Sequence, residues 1–445
     1  MQQNLLNGNI TKNLLRFALP MMLGSLLQQM YNVADTWIVG RYLGSHALAA
    51  VGSSYTLMTF LTSILLGLCM GSGAVFSLSF GEQDEEKLKA SIFHSFVLIA
   101  LVSILINLLV LLGIDPIIRL LQVPEELYEL MRAYLWIIFW GISATFLYNY
   151  FASLLRAVGN STTPLIFLGI SAGLNIALDF LFVLGFHWGV EGAAAATVIA
   201  QYGSGLGIVI YTWRRFPQLK INRRHMVWNP RILKEIASLS FLTCIQQSVM
   251  NFGILLVQGL VNSFGAVVMA AFAAAVKIDS FAYMPVQEFG NAFSTFIAQN
   301  YGAKKHDRIT KGIRSAVCTS FVFSAAVSLV VCVFARPLMQ IFVRPEETEI
   351  IAVGVGYLRI EGAFYFGIGL LFLLYGFYRA VKMPGMSVVL TVISLGTRVI
   401  LAYVLSAVPG IGVLGIWAAV PIGWVLADLA GAGRYLLGWR RKTKN

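Results

Sequence analysis

The chain predicts an all-α polytopic membrane protein, with twelve transmembrane helices in two parallel six-helix lobes. Composition, the spacing of apolar runs and an internal repeat carry that prediction. Of 445 residues, 58% are hydrophobic and 12% are charged. A soluble domain carries about 25% charged residues. An aqueous core cannot bury this much apolar surface, so lipid must cover much of it.

A spanning helix needs about 20 mostly apolar residues. Twelve segments qualify: 14–38, 48–79, 91–113, 130–155, 163–185 and 191–213, then 235–262, 267–299, 312–335, 352–378, 386–407 and 413–438. The first apolar run, from Leu14 to about Gly40, outlasts the roughly 7–15 residues of a signal-peptide core and reads as a span.

The basic residues orient the spans. With both termini inside, the cytoplasmic segments hold 24 of the 32 Lys and Arg residues. The outer loops hold five: Arg41, Arg119, Arg132, Arg336 and Arg344. Lys277, Arg359 and Arg398 lie in or near spans. This is a positive-inside distribution, expected of a multi-pass protein of the cell membrane with both termini cytoplasmic. The net charge of +12 is spread between spans and forms no basic face, so nucleic acid is not an expected partner. The longest basic segment, about 214–234, reads as a solvated, headgroup-facing linker between lobes 1–222 and 223–445.

The lobes repeat. Through most of the first half a constant shift in numbering, Gly44 to Gly265, also pairs Phe80-Gly81 with Tyr301-Gly302, Pro116 with Pro337, and Pro124-Glu125-Glu126 with Pro345-Glu346-Glu347. Further on a slightly larger shift pairs Arg156-Ala157-Val158 with Arg379-Ala380-Val381, and Gly189-Val190 with Gly412-Val413. Six spans per half return the chain to its starting side. The halves are therefore parallel repeats about an axis along the membrane normal, a geometry suited to alternating access.

Charges inside the spans point to function, because a central Asp costs about 2.5–3.5 kcal/mol on insertion scales. Asp35 follows Gln28, Gln29 and Asn32. Asp179 lies four residues after Asn175, on the same helix face. The repeat counterparts of Asp35, Asp179 and Asn175 are Leu256, Ala402 and Arg398, so this acidic set is not duplicated. Two carboxylates with amide and hydroxyl oxygens suit a hard cation such as sodium. A proton can also substitute where carboxylates crowd in a low dielectric. The second half has its own set: Lys277, Asp279, Glu288, Arg359, Glu361, Arg398 and Asp428. Lys277/Asp279 and Arg359/Glu361 are spaced two apart and are expected to pair across helices rather than with each other.

Several motifs resemble those of the multidrug and toxic compound extrusion (MATE) transporters. They are Leu19-Pro20 with Asp35-Thr36 and Gly40; Ala298-Gln299-Asn300-Tyr301-Gly302-Ala303; Arg156-Ala157-Val158-Gly159-Asn160; and Asn175 with Asp179. The resemblance runs the length of the chain and fits the prokaryotic branch. It implies export of cationic amphiphilic molecules in exchange for H+ or Na+, with no cofactor and no catalysis, by a monomer in contact with membrane lipid. It assigns cation coupling to Asp35, Asn175, Asp179 and Thr197. It places Tyr31, Tyr55, Met58, Met70, Phe252, Met284, Phe293 and Glu288 on spans that line a substrate cleft, where aromatic faces and carboxylates attract cations. The alternative is a flippase for a lipid-linked precursor, with Lys277, Arg359 and Arg398 meeting a pyrophosphate. The four cysteines (Cys69, Cys244, Cys318, Cys332) lack paired spacing and read as small core residues, and no structural metal site is expected. No nucleophile–base or phosphate-loop motif suggests an enzyme.

Pro20 removes a backbone hydrogen bond inside the first span and favours a bend there. If that bend moves Asp35 during transport, Pro20→Ala slows gradient-driven efflux from proteoliposomes; an unchanged rate would count against it.

Overall fold

The computed structural model describes residues 3–120 and 123–439. The basic residues from 440 onward lie outside it. Sixteen α-helices follow in order: α1 (Ile10–Tyr42), α2 (Ser45–Glu82), α3 (Glu85–Leu112), α4 (Ile114–Leu120), α5 (Glu125–Ile138), α6 (Gly141–Ala157), α7 (Thr162–Asp179), α8 (Gly189–Arg215), α9 (Pro230–Asn262), α10 (Ala266–Gly302), α11 (His306–Val333), α12 (Ala335–Gln340), α13 (Thr348–Gly362), α14 (Tyr365–Ala380), α15 (Pro384–Ser406) and α16 (Val413–Arg434). An all-helical chain satisfies its backbone polar groups within each segment, as lipid requires.

Nine helices among the described residues are long and apolar enough to span by themselves. Two predicted spans are broken: α5 and α6 meet at 44°, α13 and α14 at 50°. Counting each bent pair as one span and adding α1, whose charged residues include Arg16 and Asp35, the predicted twelve segments all fall on helices in order. The multi-pass membrane architecture is thus as the sequence predicts.

The repeat extends to backbone geometry. Helices α1 and α9 each have 33 residues, and α3 and α11 each have 28. Gly44 and its counterpart Gly265 precede α2 and α10 at φ +87° and +94°. Gln83 and Lys304, which share no side-chain chemistry, both take φ 56° at the ends of those helices. Exposure repeats too. Leu101, Leu108, Leu109 and Leu112 of α3 are exposed, as are their counterparts Val322, Leu329, Val330 and Val333 of α11. These are lipid-facing stripes; in water such a surface would aggregate.

The chain forms two compact units. Unit 1 is Leu23–Cys244 with Gln3, and unit 2 is Asn4–Met22 with Ile245–Asn445. Helices α1 and α9 therefore each begin in one unit and end in the other. Unit 1 packs around Phe76, Phe139 and Tyr150, whose hydroxyl donates to Ile92 O at 2.7 Å. Gly67 and Gly71 let α2 lie directly against the backbone of α9 at Cys244 and Ser240, and the buried Ser72 and Ser240 hydroxyls bond at 2.9 Å. Unit 2 packs around Phe272, which stacks on Trp417 at 5.5 Å, with Tyr357 edge-on to Trp417 at 5.0 Å. Gly290 and Gly376 bring α10 and α14 together in the small-residue manner of membrane helices.

The basic linker is more ordered than a solvated loop. Within it Arg224 pairs with Glu86 at 2.9 Å, and Asn229 N donates to His94 Nε2 at 2.8 Å. The buried His225 accepts from Asn222 N at Nδ1 (2.9 Å), and its Nε2 accepts from Arg224 Nε at 3.2 Å and lies 3.0 Å from Glu86 Oε2. The reason is local: α3 begins with Glu85 and Glu86, which attract the linker's cations.

A side chain at position 71 must overlap α9 backbone. Gly71→Val is expected to cost about 1–3 kcal/mol and lower the thermal unfolding midpoint in detergent. Gly52→Ala, whose added Cβ meets nothing within 4 Å, is expected not to lower the midpoint.

Candidate functional site

The acidic set of unit 1 is assembled from three membrane helices. Asp35 projects from α1, Asn175 and Asp179 from α7, and Thr197 from α8. The start of α7 is fixed by Asn160, which donates to Thr163 Oγ1 at 2.9 Å and accepts from Thr163 N at 3.0 Å. The Arg156–Asn160 motif thus sets where α7 enters. At its other end α7 closes on Asp179, and the backbone widens into a π-helical segment, Phe180–Gly185. Such widening occurs often at functional sites. The matching stretch of unit 2 begins inside α15, which continues to Ser406 as an ordinary α-helix.

Asp35 and Asp179 meet through their side chains. Asp179, Asn175 and Thr197 are buried and Asp35 half-buried. The Asn175 amide lies 3.1 Å from Thr197 Oγ1. With its nitrogen turned toward Asp179, it donates to Asp179 Oδ2 at 3.0 Å and its oxygen accepts from Thr197 N at 3.2 Å. That orientation gives both ends of the amide a partner. Apart from the contact of the two carboxyls with each other, Asp35 Oδ1 and Asp179 Oδ1 are buried and receive no hydrogen bond. Facing carboxylates in a low dielectric repel unless a cation lies with them. The arrangement can therefore hold a proton or a small hard cation.

The structure brings Tyr31 and Tyr55 to this site. Tyr31 bonds to Thr197 and lies within electrostatic reach of both carboxylates. The exposed Tyr55 receives Asn32 Nδ2 at 3.4 Å, one turn from Asp35. Met58 is half-buried against the unit 1 core. Met70 lies more than three turns further along α2, about 18 Å from it. Tyr134 of α5, which the sequence reading passed over, is buried close to Tyr31, Asp35 and Asp179. Its repeat counterpart is another buried tyrosine, Tyr357, and that recurrence was the available signal.

The remaining candidates lie in unit 2. Phe252 is exposed, Met284 half-buried and Phe293 fully buried. Glu288 Oε1 accepts from Asn291 Nδ2 at 3.2 Å, and Asn291 Oδ1 accepts from the buried Arg379 at 3.0 Å. Glu288 therefore belongs to a polar chain ending on Arg379. Lys277 and Arg359 are exposed while Asp279 and Glu361 are buried. The residue that holds Asp279 is Tyr365, donating at 2.6 Å.

The family model described as MatE matches residues 20–181 and again 241–404. The chain belongs to the MatE family of membrane transporters. The second match starts at 241 against 20 for the first and ends at 404 against 181, so its two ends reproduce the smaller and the larger shift of the repeat. The chain is similar to the "Probable multidrug resistance protein YoeA" of Bacillus subtilis, at 27% identity over 98% of this chain and 95% of that protein. It is 30% identical to "Probable multidrug resistance protein YpnP" of the same organism, over 87% of this chain and 86% of that one. In fold it is similar to a solved multidrug resistance MATE family transporter in an outward-facing conformation, with TM-score 0.92 and 24% identity, covering 100% of this chain and 98% of that one.

The Asn175 amide donates to Asp179 from within the same helix. Asn175→Ala leaves that carboxylate without it and is expected to cost about 1–3 kcal/mol, read as a lower unfolding midpoint.

Proposed function

We propose that this MatE transporter exports cationic amphiphilic small molecules in exchange for H+ or Na+, with Asp35, Asn175, Asp179 and Thr197 as the coupling site. The contact between Asp35 and Asp179 carries the reading. Each carboxylate keeps one buried oxygen without a donor, so an entering cation gains ligands that the protein otherwise leaves unsatisfied. Binding joins α1 to α7, and release separates their charges. Repulsion between the emptied carboxylates then supplies a force on α1, which alternating access requires of a coupling ion.

The names of the similar bacterial proteins, both multidrug resistance proteins, support a drug-like substrate. Aromatic side chains at Tyr31 and Tyr55 beside an acidic set suit a cation with an apolar body. The basic residues between the spans support a cell-membrane location with cytoplasmic termini. We further take the transporter to work as a monomer in lipid, without a cofactor. The flippase reading is the weaker one: Arg398, one of its three cations, lies within electrostatic reach of the buried Asp279 and Glu361.

Reconstituted protein should expel ethidium from proteoliposomes when either a proton or a sodium gradient is imposed alone. Asp35→Asn and Asp179→Asn should each slow gradient-driven efflux at least tenfold. Full-rate efflux by both variants would sink the coupling assignment, and failure of the parent to move any cationic dye would shift weight to the flippase.

A further inference from the structure

The segment between α8 and α9 has two properties that a loop in water does not need together. It is pinned to unit 1, and it presents apolar side chains outward. Phe216 and Leu219 are buried in the unit 1 core. His225 is buried as well, with Nδ1 accepting from Asn222 N and Nε2 beside Arg224 and Glu86. Asn229 N donates to the fully buried His94 of α3 at 2.8 Å, and Asn229 Oδ1 accepts from Arg231 N at 3.0 Å, which caps the start of α9. Between the fixed points at His225 and Asn229, Met226, Val227 and Trp228 are 48%, 67% and 59% exposed. The Trp228 ring leans on His94 at 5.5 Å and leaves the rest of its surface outside.

Exposed cations flank this tip. Arg215, Lys220, Arg223 and Arg231 take part in no ion pair among the described residues, whereas Arg224 is bound to Glu86 at 2.9 Å. Helices α8 and α9 are both long and apolar enough to span, so the segment joining them lies where the bilayer ends. Three consecutive exposed apolar residues are unfavourable in water and persist where something covers them. The occupant must offer negative charge with an apolar layer directly beneath it. A leaflet containing acidic lipid has both at this depth: Trp side chains settle at headgroup level, and cations beside a span attract acidic headgroups.

We propose that this tip is an interfacial anchor for acidic phospholipid. Met226, Val227 and Trp228 enter the headgroup boundary, and Arg215, Lys220, Arg223 and Arg231 meet the lipid phosphates. His94 and His225 hold the tip in shape, so little ordering is left to be lost when lipid binds. Because Asn229 follows the tip and caps α9, the anchor also fixes the start of α9 at the membrane surface. None of this depends on which ion drives transport or which molecule is carried.

The test uses the full chain in lipid nanodiscs, either of phosphatidylcholine alone or of about three parts phosphatidylcholine to one of phosphatidylglycerol. Subtracting the emission of Trp228→Phe from that of the parent isolates Trp228. Brominated acyl chains should quench about half of that difference or more, while aqueous acrylamide quenches little of it. Phosphatidylglycerol should deepen the quenching by brominated lipid. Replacing Arg215, Lys220, Arg223 and Arg231 by Gln should remove that gain at an unchanged unfolding midpoint. A Trp228 signal open to acrylamide and untouched by brominated lipid overturns the proposal, since the tip would then lie in water as a face for a soluble partner. Equal quenching with and without phosphatidylglycerol overturns the acidic-lipid assignment, and this comparison on the parent decides the matter even if the Gln variant does not fold.

Discussion

Asp35 and Asp179 face one another from α1 and α7, with one buried oxygen apiece left without a donor. Two such groups would drive their helices apart in a low dielectric if nothing shared the charge. The rest of unit 1 is arranged to keep them together. Asn160 fixes where α7 begins, and Asn175 locks Asp179 to Thr197 on α8. Tyr31 reaches the same threonine from α1. Three helices are thus cross-linked at one level by polar groups.

The frame around this contact was legible because it is written twice. Gly44 and Gly265 announce the starts of α2 and α10, and both adopt a positive-φ backbone that glycine tolerates. The duplication persists where residue types diverge, as at Gln83 and Lys304, so it is a property of the fold and not of shared residues. What escaped the sequence has physical causes. The bends between α5 and α6 and between α13 and α14 fall at Phe139–Trp140 and Ala363–Phe364, without a proline to mark them. The π segment after Asp179 reads Phe-Leu-Phe-Val-Leu-Gly, an ordinary apolar run. Tyr365 and Asp279 are 86 residues apart, and no periodicity connects them.

The polar residues follow a different logic from the frame. In each unit the apolar positions of one polar cluster are the polar positions of the other: Met58, Ile138 and Ile142 against Asp279, Glu361 and Tyr365; Leu256 and Ala402 against Asp35 and Asp179. A duplicated frame supplies two equivalent places where charge can be buried without breaking helix packing. The two units use different members of that set. In sequence the first half shows an acidic set and the second scattered charges, because Asp279 of α10 and Tyr365 of α14 meet only in the folded unit.

Helices α1 and α9 show that the change-over between units is itself repeated. The first passes from unit 2 to unit 1 at Leu23 and the second from unit 1 to unit 2 at Ile245. Asp35 lies beyond the change-over in α1, in the part that belongs with α7 and α8. The part before it is held in unit 2 by its own start: Arg308 donates to the carbonyls of Leu5, Asn7 and Gly8, and Lys305 and Asn300 bind the same segment. Under the coupling proposed above, a cation drawing Asp35 toward Asp179 would act on one end of a continuous helix whose start is bound by these contacts. The displacement must either be carried through to Asn4–Met22 or be absorbed along the way. Pro20, just before the change-over, is where the helix lacks a backbone hydrogen bond and can absorb it most cheaply. The stiffness of α1 is thus set at one residue, Pro20, that α9 does not share.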